Sequence, residues 1–153
     1  MEIERKYLIG RVPENLNITK TREIEQGYLC TEPVVRIRRD NDKFELTYKS
    51  KGLMVREEYN LPLTKEAYEH LRTKIDGRLI QKTRHEIPLG DSLTVELDIF
   101  HGELKPLILA EVEFPDEEKA DAFTPPEWFG EDVTFSSEYH NSSLSRRDFI
   151  QSP

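Results

Sequence analysis

Charged residues of one sign recur in pairs separated by a single residue along the whole chain. The acidic pairs are Glu2/Glu4, Glu96/Asp98 and Glu111/Glu113, and the basic pairs are Arg36/Arg38 and Lys82/Arg84. A spacing of two places both members of a pair on the same face of a β-strand. Like charges on one face repel, so paired carboxylates favour a cation and paired arginines favour an anion. A charged strand face in water is the simpler interpretation of any one pair. Several strands of this chain each carry charges of only one sign, and this pattern favours a ligand site over a solvated face.

The residues that share these charged strand faces comprise equal numbers of acids and bases. The acids are Glu2, Glu4, Glu58, Glu96, Asp98, Glu111 and Glu113, and the bases are Lys6, Arg36, Arg38, Lys49, Arg56, Lys82 and Arg84. Clustered carboxylates without paired His or Cys favour Mg²⁺ or Mn²⁺. Arg and Lys beside them favour phosphate oxygens. The fourteen charges sum to zero. The positive charge of two divalent cations would then about equal the negative charge of one triphosphate near neutral pH.

The elements that carry these residues show a period of two, which predicts strands. Eight alternating runs cover approximately residues 3–9, 21–29, 35–38, 44–49, 55–61, 77–87, 95–99 and 111–114. Turn-forming residues at 40–42, 50–52 and 88–91 predict hairpins. We therefore expect a mainly β (α+β) fold, an antiparallel meander with a few peripheral helices. Helices are predicted over 63–75, directly after Pro115 and over 141–150.

Two arrangements of this sheet are compatible with the pattern. An open sheet would expose the charged face to water. If the charged faces point inward, eight strands suffice to close a barrel. The apolar phase would then face outward and need covering, for which Trp128 and Phe129 are candidates.

Composition limits the remaining possibilities. A chain of 153 residues without repeats or a linker predicts one domain over 1–153. A net charge of -8 disfavours nucleic acid or anionic membrane as a partner. We expect a cytoplasmic protein, since the N-terminal residues lack a secretory apolar region and Cys30 is the single cysteine. Cys30 is expected to be packed inside. The four histidines share no metal-ligand spacing, so surface or structural roles are expected for them.

The ordered set of motifs resembles a known family. Glu2-Ile3-Glu4-Arg5-Lys6 resembles the E-x-E-x-K signature of the CYTH superfamily, the triphosphate tunnel metalloenzymes. Its companions follow in order as Arg36-x-Arg38, Lys49, Arg56-x-Glu58, Lys82-x-Arg84, Glu96-x-Asp98 and Glu111-x-Glu113. The segments Gln26-Gly27-Tyr28 and 125–130 look most like short bacterial members that hydrolyse inorganic triphosphate. The resemblance implies an eight-stranded antiparallel tunnel with a charged lumen.

The resemblance also implies roles for individual residues. Metal ligands would be Glu2, Glu4, Glu111 and Glu113, with Glu58 and Asp98 as acids for a second metal. Phosphate ligands would be Lys6, Arg36, Arg38, Lys49, Arg56, Lys82 and Arg84. The cofactor would be Mg²⁺ or Mn²⁺, with two ions. Glu4 would orient or deprotonate the attacking water, and Lys82 with Tyr28 matches a pair implicated in catalysis in some short members.

The expected activity is hydrolysis of inorganic triphosphate to pyrophosphate and phosphate. Thiamine triphosphate hydrolysis, a class IV type adenylate cyclase and a non-catalytic polyphosphate or nucleotide sensor stay open as alternatives. The sequence departs from the family pattern at Asn60, where several members carry an acid. It also lacks a basic residue in the segment 139–144 that many relatives have. An outward apolar face makes a homodimer a further expectation.

Overall fold

A computed structural model of the chain describes residues 2–145, which form a nine-stranded antiparallel sheet. The strands are β1 Glu2–Leu8, β2 Lys20–Thr31, β3 Val34–Asp40, β4 Lys43–Lys49, β5 Val55–Arg56, β6 Glu58–Pro62, β7 Asp76–Gly90, β8 Leu93–Phe100 and β9 Ile108–Glu113. The helices are α1 Lys65–Arg72, α2 Glu117–Ala122 and the single turn α3 Asn141–Leu144. The strand order is β5-β1-β9-β8-β7-β2-β3-β4-β6. The predicted mainly β architecture is confirmed.

The two outermost strands of this order are consecutive in sequence, so the chain itself joins the two edges of the sheet and the barrel is nearly closed. β5 pairs with β1 through Glu2↔Arg56, whereas β6 pairs with β4 through Lys49↔Glu58. Between them, the Glu57 amide bonds the Ser50 hydroxyl and its carbonyl accepts from the Ser50 amide. One predicted strand over 55–61 is therefore two strands, because the chain changes its pairing partner at Glu57. Nine strands replace the expected eight.

The outward face of β1, β7, β8 and β9 carries an apolar core. Buried Val95, Leu97 and Val112 belong to this cluster, which α2 and the segment after it cover. Phe129 packs edge-on against Trp128, with ring centroids 4.7 Å apart, and 4.9 Å from Tyr7. The two aromatic residues thus cover the barrel exterior, as expected from the sequence.

The inward face is charged along most of its length and apolar at one end. Six strands each contribute an apolar residue of the inward-facing phase at this end of the barrel; these residues are Leu8, Tyr28, Val34, Ile80, Phe100 and Leu109. They pack with Leu104, Leu107, Val133 and Leu144. We call this cluster the apolar plug. It closes one end of the lumen and leaves a charged cavity on the other side.

The helices are shorter than predicted. Thr64 caps α1 by accepting from the Ala67 amide, and Tyr68 on this helix packs 5.1 Å from the Phe44 ring. The helix ends at Arg72 and not at Ile75. The predicted third helix is observed over Asn141–Leu144, and its remainder, 146–150, lies outside the described residues. Cys30 is exposed, so the expectation that it is packed inside is wrong. No helix of residues 2–145 is long and apolar enough to cross a membrane.

Candidate active site

The lumen holds a cavity of about 200 Å³ whose described lining is almost entirely charged. Six carboxylates line it: Glu2, Glu4, Glu58, Glu96, Glu111 and Glu113. Seven cations line it: Lys6, Arg22, Arg36, Arg38, Lys49, Arg56 and Arg84. Tyr28, Val34 and Asn141 complete the described lining. We call this space the lumen cavity.

Strand register brings these side chains together from distant parts of the sequence. Glu4 lies directly opposite Glu113 and Lys6 opposite Glu111 on β1 and β9. On the other side of β9, Glu96 lies opposite Glu111. Across the seam, the Lys49 ammonium lies 3.0 and 3.1 Å from the two Glu2 carboxylate oxygens. The period-two spacing in the sequence and the antiparallel register together create the site.

Glu4 and Glu113 are acids without a cationic partner. No Lys, Arg or His of residues 2–145 lies within 4.0 Å of either carboxylate, although the two residues are direct cross-strand neighbours. Burial, with Glu111 and Glu2 nearby, raises the pKa of Glu4 to about 8. Burial, with Glu2 and Glu58 nearby, also raises the pKa of Glu113. Opposed like charges are destabilising unless a cation lies between them.

Glu2 and Glu58 form the neighbouring part of the acid cluster. Burial raises the pKa of Glu2, and the Lys49 charge opposes this. Burial acts in the same direction on Glu58, but the neighbouring Glu2, a hydrogen bond from Asn60 and the Lys49 charge outweigh it and lower the pKa of Glu58. Asn60 thus supports Glu58 at the position where relatives were expected to carry an acid. No three described carboxylate, His or Cys groups are already converged as a metal-binding set.

Arg36 and Arg38 are the complementary cations without an acidic partner. Among the described residues, Arg36 donates to the Thr47 hydroxyl at 3.3 Å and Arg38 to the Gln26 side-chain oxygen at 2.7 Å, and neither has a carboxylate within 4.0 Å. Burial, with Arg36 and Arg84 nearby, lowers the pKa of Arg38 to about 9. The Arg36 Nε and the Gln26 amide nitrogen are buried donors without a partner in the described chain. An anion would satisfy these donors and offset the repulsion.

Lys82 and Asp98 do not line the lumen cavity. The Lys82 Nζ lies 2.7 Å from Asp98 Oδ2, and both side chains are fully buried. Asp98 also accepts from Arg84 Nε at 2.7 Å and Nη2 at 2.8 Å. Burial lowers the pKa of Lys82 to about 7 despite Asp98. The two residues form an ion-paired layer that holds Arg84, whose Nη2 also lies 3.5 Å from Glu111.

Tyr28 is buried at the boundary between the lumen cavity and the apolar plug. It lies opposite Arg36 on β3 and packs in the plug. The preceding Gly27 has no space for a side chain, because a Cβ there would lie 2.7 Å from Ile75. Tyr28 lines the lumen cavity. Lys82, its predicted catalytic partner, does not; it is buried in the barrel wall against Asp98.

The sequence interpretation gave no role in the site to four of the lining residues, namely Arg22, Val34, Glu96 and Asn141. Arg22 lies 2.5 Å from Asp40, 3.2 Å from Glu86 and 2.9 Å from Glu96. Arg22 follows the same alternation as the other charged strand residues, and this pattern could have predicted that it lines the cavity. Asn141 lies in the segment 139–144, which the sequence comparison with the family singled out, but it was given no role in the site. Glu96 was counted among the charged-face acids but was given no role.

The segment between Val133 and Leu144 joins the apolar plug to the charged lining. The Lys6 amide donates to the Thr134 hydroxyl at 3.0 Å, and the Lys6 ammonium donates to the Tyr139 carbonyl at 3.3 Å. His140 is 8 % exposed and contacts Arg56. This segment therefore holds cations of the site through neutral groups.

Comparison with known proteins places this geometry in a family. The CYTH domain matches residues 1–148. The chain is 40% identical over 148 residues to the inorganic triphosphatase of Nitrosomonas europaea, covering 94% of this chain and 96% of that one. It is 35% identical over 153 residues to the inorganic triphosphatase of Acetivibrio thermocellus, covering 97% and 95%. The crystal structure of the inorganic triphosphatase NE1496 superposes with a TM-score of 0.71 at 38% identity, covering 95% of this chain and 94% of that one.

Proposed function

The chain belongs to the CYTH family, and from this premise we propose that it hydrolyses inorganic triphosphate to pyrophosphate and phosphate. One observation carries the proposal. The lumen cavity holds both arginines without acidic partners and carboxylates without cationic partners among the described residues. A polyphosphate and its counter-cation are the ligand pair that satisfies both groups. Relatives at 40% and 35% identity named inorganic triphosphatase support the same activity.

The carboxylates fit a divalent metal cofactor, which we propose to be Mg²⁺ or Mn²⁺, with two ions. Glu2, Glu4, Glu58 and Glu113 provide hard oxygen donors, and Glu4 and Glu113 lack a cation in the described chain. The bound metal would neutralise phosphate charge and lower the pKa of a water molecule. Glu111 and Asp98 also stay proposed ligands. Both are already paired with Lys or Arg, so they would have to exchange a partner.

The cations would bind the phosphate chain. Arg36, Arg38 and Arg56 have no carboxylate within 4.0 Å among residues 2–145, so their full charge is available. The other phosphate-binding cations of the cavity lie beside its carboxylates, and each is paired with Glu111 or Glu2. These cations are Lys6, Lys49 and Arg84. Lys82, behind the wall, would act on phosphate through Arg84 and Asp98 unless its ion pair opens.

We assign Glu4 to the attacking water. Its carboxylate lies in the lumen cavity, where it can orient or deprotonate a water molecule once a bound metal has offset the burial and acid repulsion that raise its pKa to about 8. Water attacks the terminal phosphorus, the bond to the bridging oxygen breaks and pyrophosphate leaves. Tyr28, which lies beside the arginines, is the remaining candidate for contact with the substrate. Its predicted catalytic pairing with Lys82 stays a prediction.

The lining favours an inorganic substrate over a nucleotide or thiamine triphosphate. Of the sixteen described residues around the cavity, only Tyr28 and Val34 present apolar surface, and both belong to the plug. Bases and thiamine rings bind through stacking and apolar contact, which this lining does not offer. The cavity of about 200 Å³ is also small compared with the ~300–1,000 Å³ of typical ligand sites.

A substrate and metal screen tests the proposal. Phosphate release from tripolyphosphate, ATP and thiamine triphosphate is measured with Mg²⁺, with Mn²⁺ and with chelator. We expect metal-dependent turnover that is fastest with tripolyphosphate. Cyclic AMP and pyrophosphate from ATP would instead establish the cyclase. Tight binding without any turnover would establish the sensor.

A matched pair of variants on β3 locates the activity. Arg36→Gln removes a buried lumen cation, whereas Arg39→Gln removes an exposed one from the same strand. We expect Arg36→Gln to lower kcat/KM by about 10- to 100-fold, the effect of losing a hydrogen bond to a charged group. Arg39→Gln should stay near wild type. Equal effects of the two substitutions would contradict catalysis in the lumen.

A further inference from the structure

His140 is a buried histidine whose two ring nitrogens are both engaged. Arg56 Nη2 donates to its Nδ1 at 3.1 Å. Its Nε2 lies 3.4 Å from the Thr134 carbonyl oxygen. A guanidinium only donates and a carbonyl only accepts, so the ring must accept at Nδ1 and donate at Nε2. This arrangement requires the neutral Nε2–H tautomer.

The surroundings keep this ring neutral. Burial, with Lys6 and Arg56 nearby, lowers the pKa of His140 to about 4, and the Thr134 carbonyl and Glu111 oppose this only partly. At neutral pH, His140 is therefore an uncharged hydrogen-bond acceptor for Arg56.

Arg56 needs such a partner because the backbone holds it weakly and because two cavities adjoin it. Its strand β5 has only two residues and pairs with β1 at Glu2 and Ile3. Arg56, in the orientation in which it bonds His140, lines the lumen cavity and also a second cavity of about 310 Å³, whose described lining includes Ser50, Ser137, Ser143 and His140 itself. The guanidinium thus has space on both sides, and its orientation depends on side-chain contacts.

We propose that His140 is a positioning residue that holds the Arg56 guanidinium toward the substrate without neutralising its charge. This inference rests on the proposed function, since it assigns Arg56 to the phosphate chain. A carboxylate at this place would orient Arg56 equally well but would compete with phosphate for it. The neutral ring fixes the direction of the guanidinium and leaves its positive charge for the ligand.

Kinetics of three variants test the inference. His140→Leu removes the acceptor, and His140→Gln replaces it with an amide oxygen. His85→Leu is the matched control, because His85 bonds Thr21 on the barrel exterior. We expect His140→Leu to raise KM for tripolyphosphate about tenfold with kcat little changed, which is the effect of lost uniform binding. His140→Gln should recover most of this loss, and His85→Leu should behave as wild type.

A double-mutant cycle separates positioning from general destabilisation. In an Arg56→Ala background, His140→Leu should have no further effect on KM, because the group that it orients is absent. Independent effects of the two substitutions would overturn the inference. So would a wild-type KM for His140→Leu in an enzyme that turns over tripolyphosphate. Absence of turnover by the wild type would contradict the proposed function instead.

Nitrogen NMR of the wild-type protein tests the geometry without activity or a variant that must fold. The His140 ring should show a protonated Nε2 and an unprotonated Nδ1 at pH 7, assigned by the signals missing in His140→Gln or by through-bond correlation to the His140 backbone. A protonated Nδ1 could not accept from Arg56 and would overturn the inference whatever the kinetics show.

Discussion

Glu4 shows how a single residue serves function at the expense of stability. It lies opposite Glu113, near Glu111 and Glu2, and has no cation within 4.0 Å among residues 2–145. Its raised pKa means that the folded chain holds this proton more tightly than the unfolded chain does. The free energy of unfolding therefore falls as pH rises from the unfolded pKa of about 4.5 to the folded pKa of about 8. A bound divalent cation would lower the pKa of Glu4 and so remove this loss of stability.

Glu4→Gln separates these two roles. Without metal, we expect the variant to be more stable than the wild type, by an amount that grows between pH 5 and pH 8 and is constant above, because Gln has no proton to lose. Chemical denaturation across this pH range measures the difference. With saturating Mg²⁺, the advantage should shrink, and turnover of tripolyphosphate should collapse while its affinity is largely retained.

Exposed Glu14 provides the control for this substitution. Glu14→Gln should leave both the pH profile and turnover unchanged. A wild-type turnover for Glu4→Gln would show that the assignment of Glu4 to the attacking water is wrong. A stability difference that does not vary with pH would contradict the raised pKa.

At the scale of elements, the segment that joins β4 to β6 determines whether the barrel closes. Gly52 in this segment has a φ of +138°, and a Cβ there would lie 2.3 Å from the Val55 carbonyl oxygen. Two residues on, the Met54 carbonyl accepts from the Glu4 amide, and β5 follows at once. The glycine conformation thus places β5 against β1 and brings Arg56 to the lumen.

Gly52→Ala should therefore affect both stability and substrate binding. We expect a loss of about 1–3 kcal/mol in the free energy of unfolding, the range for forcing a side chain into such a backbone conformation. KM should rise as well, because β5 carries Arg56. Gly10→Ala is the control, since Gly10 is exposed and has no atom within 4 Å of an added Cβ. A Gly52→Ala variant as stable as Gly10→Ala would contradict this account of closure.

For the whole molecule, the net charge of -8 conceals a lumen of the opposite sign. The described lining has seven cations and six carboxylates, whereas the full chain has 22 basic and 30 acidic residues. We therefore expect anions to be favoured inside the barrel rather than on the acidic exterior. A cavity of this size predicts that a short polyphosphate enters and that a bulky polyanion does not.

We expect selective stabilisation by a short polyanion. A non-hydrolysable imidotriphosphate with Mg²⁺ should raise the thermal unfolding temperature with the logarithm of its concentration above Kd, and the stabilisation should be about 2.7 kcal/mol at 100 times its Kd. Heparin should neither stabilise the protein nor retain it on a column. Arg36→Gln should reduce the shift, and Arg39→Gln should not. Comparable stabilisation by heparin would contradict binding inside the barrel.

The pattern of residues in the sequence was sufficient for most of the strands, for the charged face of each strand and for most of the residues that line the cavity. Period-two alternation is a local property, so it survives without knowledge of tertiary contacts. Glu4, Arg36 and Glu113 were recognisable because each has a like-charged neighbour two residues away. Closure of the barrel was implied only by the family resemblance, and the homodimer and the cytoplasmic location stay predictions.

Only the tertiary structure decided which charges face each other. Two changes relative to the predicted sets depend on contacts between strands: Lys82 and Asp98 neutralise one another behind the wall, and Arg22 joins the lining. His140 is 84 residues from Arg56 in sequence, so no spacing rule could connect them. The sequence alone determined the chemistry available to the lumen. Register, burial and chain closure determined which of those groups are free to bind a ligand, because pairing energies depend on distances that exist only in the folded chain.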